Sequence, residues 1–398
     1  SFQGMIGESL PVVEEGSEGG KTKMGVENGG VDGESGSSPM DMRKAMAFCV
    51  ATYFLVMTAF IVPLACVSTF ILLYPLQFIN MQLFLRLENR LCKFVNDHWV
   101  SASLYAGLEV VEYGDRVEAL SEKRVLYLAN HLGLVDHFVI MNSLHDKGTV
   151  SGRWMWVIYN IWKYTPLGAM WMSHGNFFVN GGPTKRERLL ETFRKHLRNY
   201  FWSWDFRWIV MYPEGSRLFM IRDSSARFAL KEGLTPLTHC AYPRIGAAHA
   251  VMQMCAPSKE DSKKARCGKG EPIEYIVDAT LGYPKGVVPD MGSALMGEWP
   301  FEDRRIAIHY KVHKVLADYA DEDNLKEFLY ERYREKEASL DSFYKTGQFE
   351  GPARTVQVNN WTIALSQVFW LVSYYIHYTV WFRPLSAAFF SYLTSFIF

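Results

Sequence analysis

The sequence predicts an α/β fold: a mixed central sheet flanked by helices, with hydrophobic membrane helices at both ends. Three observations carry this. The run Val125-Leu126-Tyr127-Leu128-Ala129 is rich in β-formers, breaks at a polar turn, and continues with apolar residues in a helical rhythm. A second buried-strand pattern, Trp208-Ile209-Val210-Met211-Tyr212, runs into Pro213-Glu214-Gly215-Ser216-Arg217, another loop at a strand end. Residues 45–85 and 355–382 contain no Asp, Glu, Lys or Arg.

The elements follow in order. Residues 1–40 are rich in Gly, Ser and Glu, cannot bury enough apolar surface to order themselves, and are expected to be a disordered cytosolic tail. The chain opens on Ser1, and a few residues are expected to precede it. Residues 41–85 read as a membrane segment. A continuous helix over 45–85 would be about 60 Å long, roughly twice a hydrocarbon core of ~30 Å. Pro63 and Pro75 are therefore expected to bend it, either into a hairpin or into a span followed by an interfacial helix. Arg43 and Lys44 before it, with Arg86, Arg90 and Lys93 after it, favour both ends on the cytosolic face.

Residues 86–350 hold the α/β domain. Two or three short strands are expected within 104–129, then a helix to about Leu144. The segment from Trp154-Met155-Trp156 through Trp162-Lys163-Tyr164 has helical spacing. A strand is expected from Gly175 to Asn180, then a helix to about Tyr200 bearing Lys185, Arg186 and Arg188 on its first turns. Further strands are expected at 237–241, 273–280 and 305–312, a polar loop at 256–271, and a helix from about Asn324 to Gly347. Residues 351–398 form the second membrane segment, in which Arg383-Pro384 is expected to break the helix before an apolar tail.

At 398 residues the chain can bury a large core. Its formal net charge is zero, so it lacks the field that nucleic acid binding needs, and none of the usual binding motifs occurs. The six cysteines, at 49, 66, 92, 240, 255 and 267, show no metal-ligand spacing and are expected to be reduced thiols.

The candidate chemistry begins at Asn130-His131-Leu132-Gly133-Leu134-Val135-Asp136. In a continuous helix His131 and Asp136 would point roughly 140° apart. They can meet only if His131 precedes the helix and the chain turns sharply, which Gly133 permits. The carboxylate then fixes the ring tautomer and leaves the other nitrogen free as a base. Lys185, Arg186 and Arg188 offer a cationic rim, and Arg217 offers a planar fork for a phosphate or carboxylate.

Taken together, His131-x4-Asp136, Gly175-x-x-Phe178, Tyr212-Pro213-Glu214-Gly215-Ser216-Arg217 and Tyr242-Pro243-Arg244 resemble the four ordered blocks of the glycerophospholipid acyltransferase family. The similarity covers roughly residues 80–350. It implies transfer of a fatty acyl group from acyl-CoA to a lysophospholipid hydroxyl, with lysophosphatidylglycerol or a relative as acceptor. It also implies an enzyme of the endoplasmic reticulum membrane whose catalytic domain (86–350) faces the cytosol. On this resemblance His131 is the base and Asp136 orients it. Glu214, Gly215, Ser216, Arg217, Lys185, Arg186, Pro243 and Arg244 bind substrate, Arg217 gripping the phosphate. Asn180 stands where relatives usually carry arginine, so Lys185 or Arg186 is expected to supply that charge.

No Gly-x-Ser-x-Gly elbow or Cys/His signature is present, so direct attack in a ternary complex is expected, without an acyl-enzyme. Oxyanion donors are expected among the backbone amides of the Glu214-Gly215 loop or near His131. No metal or cofactor is expected, since acyl-CoA is a co-substrate. The expected partners are acyl-CoA, a lysophospholipid and the lipid bilayer. Acylation of monoacylglycerol and a non-catalytic lipid-binding scaffold are the rival readings.

Overall fold

The chain enters the structure as a long apolar helix and leaves it as another, and one eight-stranded sheet runs between them. The computed structural model describes residues 39–160, 163–179 and 186–397. Residues 1–38 of the expected tail, Trp162, Asn180 and Lys185 lie outside the described residues, and the tail's last two positions, 39 and 40, are helical. Internal contacts separate Ser1–Met42, of which only the last four residues are described, from Arg43–Phe398.

Helix α1 (Pro39–Val67) continues through Pro63 into a widened π-turn, Ser68–Leu73. After α2 (Leu76–Ile79) the chain reverses at Asn80, whose extended backbone and side chain cap α3 (Met81–Ala106). Phe54 meets Trp99 and Tyr74 meets Phe84, with ring centroids 5.9 and 6.2 Å apart, so α3 runs back along α1 as a helical hairpin. Lys44–Ile79 is long and apolar enough, by length and composition, to cross a membrane, and it is the one such stretch among the described residues.

The sheet domain follows. β1 (Glu109–Gly114) leads to β2 (Val125–Ala129), α4 (Asp136–Leu144), β3 (Trp154–Tyr159), α5 (Pro166–Ser173) and β4 (Phe177–Val179). After α6 (Arg186–His196) come β5 (Trp208–Met211), α7 (Leu218–Lys231), α8 (Ile245–Cys255) and β6 (Tyr275–Gly282). α9 (Met291–Leu295), β7 (Arg305–Lys314), α10 (Glu322–Thr346) and β8 (Arg354–Thr355) complete it. The strand order is β4-β3-β5-β2-β6-β7-β1-β8. β4, β3, β5, β2 and β6 are parallel neighbours, β6 meets β7 antiparallel, and β1 lies parallel to β7. The sheet is mixed and flanked by helices, as the sequence predicts.

Every residue of β2 is buried because β5 and β6 take its two edges and helices cover both faces. The chain leaves β2 toward β3 on one side and leaves β5 toward β6 on the other. The crevice between the ends of β2 and β5 is thus a topological switch point, where ligands of open α/β sheets bind.

Four expectations are corrected. Trp154–Tyr159 is a strand, not a helix: it sits between β4 and β5 and is buried through Ile158, so its apolar run carries no strand alternation. Strand structure begins at Glu109, since α3 continues to Ala106. Residues 237–241 form no strand. The amides of Thr238, His239 and Cys240 instead donate to the Glu337 carboxylate of α10 at 2.7–3.2 Å, which satisfies them without a ladder. Arg383-Pro384 does not break the last helix: α11 (Asn360–His377) runs through a π-turn (Tyr378–Phe382) into α12 (Arg383–Ile397). Val380, whose carbonyl the proline ring would strike in a regular helix, lies in that widened turn.

α11 packs back on the hairpin. Trp370 donates its indole N–H to the Phe94 carbonyl at 3.2 Å, and Tyr53 donates to Gln367 at 3.1 Å. α1, the π-turn after it, α2, α11 and α12 leave an apolar surface exposed, including Phe48, Phe60, Phe70, Phe78, Leu365 and Phe390.

Candidate active site

The site forms where β2 stops. The Asn130 side chain, fully buried, accepts from Leu281 N–H at 2.7 Å and donates to Leu281 O at 3.1 Å, so it extends the β2–β6 ladder past the strand. The next residue, His131, turns out of the sheet ahead of α4, and Asp136 is the first residue of that helix. His131 Nδ1 and Asp136 Oδ2 are 2.8 Å apart. Oδ2 also accepts the backbone N–H groups of Leu132 (2.7 Å) and Gly133 (3.0 Å), and Oδ1 accepts the hydroxyl of Tyr283 at 2.6 Å. An oxygen that already accepts two N–H groups is an acceptor toward the ring, so Nδ1 carries the proton and Nε2 is the free lone pair. Nε2 makes no hydrogen bond among the described residues.

Gly133 serves this turn through space rather than through φ. Its backbone is not in the left-handed region, but a Cβ there would lie 2.5 Å from Val288 Cγ1. Gly215, by contrast, has φ +79°, and Arg244 packs over it so that a Cβ would meet Cδ at 3.0 Å.

Glu214 is wholly buried beneath His131 and accepts its backbone N–H at 3.2 Å. Burial pushes its carboxyl well above the ordinary range, against the pull of the His131 amide and of Lys336. Leu218 N–H donates to His131 O at 2.8 Å, and Arg244 N–H to Pro213 O at 2.7 Å. The turn after β2, the loop after β5 and the start of α8 are therefore tied into one unit, in which Pro243 is buried and Arg244 is exposed.

Arg217, at the start of α7, has no carboxylate within 4 Å among the described residues. It lies over Phe219, and its charge reaches His137. Ser216 points to Met220, 3.7 Å from its sulfur. Arg186 lies against Gly246 in the first turn of α8, two residues beyond Arg244. Lys185 lies outside the described residues. The structure thus gathers His131, Asp136, Glu214, Gly215, Arg217 and Arg244 around one crest, with Arg186 on its flank. Among the described residues no three His, Cys, Asp or Glu side chains gather as a metal site.

Four neighbours escaped the sequence reading. Tyr212 stacks on His131, and His137 meets it edge-on at 5.7 Å. Trp156 stacks on His137, with centroids 5.5 Å apart. Tyr283 bonds Asp136. His137 is pushed down to about 4, first by burial and then by the like charge of His131. Tyr212 heads its own block and His137 follows Asp136 directly, which is a usable signal. Trp156 was hidden by the helical misreading of its strand, and Tyr283 by ending β6 two residues early.

The comparisons with known proteins bear on this geometry. Residues 110–262 match the family model described as "Acyltransferase", and residues 302–370 match "Acyltransferase C-terminus". A Caenorhabditis elegans protein, named provisionally as a 1-acyl-sn-glycerol-3-phosphate acyltransferase, is 52% identical over 347 residues, 87% of this chain and 89% of that one. The chain belongs to the glycerophospholipid acyltransferase family. The acyl-CoA:lysophosphatidylglycerol acyltransferase 1 of Homo sapiens is 32% identical over 325 residues, 78% of this chain and 87% of that one, and its Mus musculus counterpart is 31% identical over the same span. In this acyltransferase each of His131, Asp136, Glu214, Arg217 and Arg244 falls within the matched 110–262.

Proposed function

We propose that this acyltransferase moves a fatty acyl chain from acyl-CoA to the hydroxyl of a lysophospholipid, lysophosphatidylglycerol or a close relative, at the endoplasmic reticulum membrane. The observation that carries the reading is the His131–Asp136 pair, whose Nε2 makes no hydrogen bond among the described residues, with the His131 carbonyl tied to Leu218 N–H, the residue after Arg217. The acceptor hydroxyl approaches Nε2, which takes its proton as the oxygen attacks the thioester carbonyl carbon. The new C–O bond forms, the C–S bond breaks, and the departing CoA sulfur receives the proton from the imidazolium. Asp136 stays ionised throughout and stabilises the imidazolium. The chemistry needs no metal or cofactor, because the thioester is already activated.

The oxyanion must be met by donors that are not already used. His131, Leu132 and Gly133 N–H serve carboxylates, and Gly215 N–H serves Tyr212 O at 3.1 Å. The amides of Ser216 and Arg217, just ahead of α7, are the better candidates, with the helix N-terminus behind them. Arg217, with Arg244, Arg186 and Lys185 as the wider rim, grips the acceptor phosphate.

The exposed apolar faces of α1, α11 and α12 support membrane attachment at both ends of the chain, with the sheet domain on the cytosolic side where acyl-CoA is delivered. An acceptor panel tests the reading. Purified protein is given two acyl-CoA lengths and, in turn, lysophosphatidylglycerol, other lysophospholipids and monoacylglycerol, with products read by mass spectrometry. Lysophospholipid products support it; product from monoacylglycerol alone, or none from any acceptor, overturns it.

A further inference from the structure

The segment after β6 reaches under the His131–Asp136 turn from a part of the chain that neither family model covers, between 110–262 and 302–370. Two ties bring it there. Asn130 grips Leu281 through both its backbone groups. Val288 abuts Gly133 closely enough to exclude any Cβ. Between them stands Tyr283, with no exposed surface, donating its hydroxyl to Asp136 Oδ1 at 2.6 Å.

Asp136 divides its bonds unevenly. Oδ2 takes His131 Nδ1–H and two backbone amides, whereas Tyr283 is the partner of Oδ1. Without that hydroxyl, a buried carboxylate oxygen would lose its donor, and the tilt of the group would be held from the Oδ2 side alone. The hydroxyl also draws charge away from the oxygen that faces the imidazole.

We propose that Tyr283 is a positioning residue for acyl transfer: its hydroxyl locks the Asp136 carboxylate with Oδ2 on His131 Nδ1, and so sets the orientation and basicity of the imidazole. The inference rests on the reading of His131 as the base. Burial and then the Asp136 charge push the Tyr283 phenol well above its ordinary value, so it remains a donor across the working range. The other titratable and charged groups facing the pair are His137 from α4, Tyr212, Glu214 and Arg217 from the β5 end, and Tyr344 of α10. Lys336 acts on Glu214 from the same helix.

The test is the pH profile of kcat/KM for the purified full chain, with labelled acyl-CoA and lysophosphatidylglycerol. Tyr283→Phe should lose about tenfold in kcat with KM changed less than about twofold. Its acidic limb should move up by about half a pH unit, because the undiluted carboxylate charge favours the imidazolium. Tyr310→Phe removes an equally buried hydroxyl that bonds Ser143 away from the site (3.0 Å), and its limb should coincide with that of the parent. Should Tyr283→Phe fail to fold, 3-fluorotyrosine at position 283 keeps the shape, strengthens the donor and should move the limb to lower pH.

A profile at position 283 that superimposes on the parent, or an equal shift in Tyr310→Phe, overturns the proposal. If the parent is active and His131→Ala is not, such a result condemns only the role of Tyr283. If His131→Ala stays active, the underlying reading fails first.

Discussion

The imidazole of His131 lies flat on the ring of Tyr212, with centroids 4.1 Å apart and planes 16° from parallel. The stack fixes the plane of the ring while Asp136 fixes its rotation, so Nε2 has one direction in which to receive a proton. The Tyr212 hydroxyl itself is buried without a hydrogen-bond partner among the described residues. Tyr212→Phe should therefore be at least as stable as the parent, by up to about 1 kcal/mol, with turnover within about threefold. Tyr212→Ala removes the wall and should cost more than about tenfold in kcat. Thermal midpoints and labelled-acyl transfer read both; a Phe variant as impaired as the Ala variant would show that the hydroxyl, not the ring, matters.

Acid should weaken the fold through His137. Its folded value of about 4 lies below the ordinary 6.5, because burial disfavours the imidazolium. The unfolded chain therefore binds the extra proton first as pH falls. This contribution is complete above about 6.5 and is lost progressively between there and about 4. His137→Gln, which cannot titrate, should show a smaller drop in thermal midpoint between pH 7 and pH 5 than the parent. Parallel curves would assign the acid sensitivity elsewhere.

Arg217 is held by an aromatic ring and a thioether sulfur, with no carboxylate partner among the described residues, which suits it to bind an anion. Arg217→Ala should raise the apparent KM for lysophospholipid about tenfold or more and leave that for acyl-CoA within about twofold. Equal effects on both substrates would move the guanidinium from the acceptor phosphate to the CoA side or to the transition state.

How far the sequence could be read depended on the range of the interactions. β2, the turn after it and the Pro213-to-Arg217 loop were legible because strand composition, a polar break and a proline are local signals. The separation of His131 and Asp136 set a condition, that they meet only if the first precedes the helix, and the ordered set of blocks around them made the pair specific. Trp154–Tyr159 was misread because a strand buried on both faces loses its alternation, and residues 237–241 because their backbone amides are satisfied by the distant Glu337. Gly133 was expected to ease a sharp turn through its backbone freedom; what the structure requires of it is room for Val288, 155 positions away. Tyr283 and Asn130 act across the β2–β6 pairing, a contact that no local pattern announces.

The central claim is tested most directly by acyl transfer from labelled acyl-CoA to lysophosphatidylglycerol in purified His131→Ala, compared with the parent at the same thermal midpoint. Loss of the base should lower kcat by about a hundredfold to ten-thousandfold while the protein stays folded. Turnover within about tenfold of the parent would contradict it, and would leave the His131–Asp136 pair as a structural brace at the end of β2.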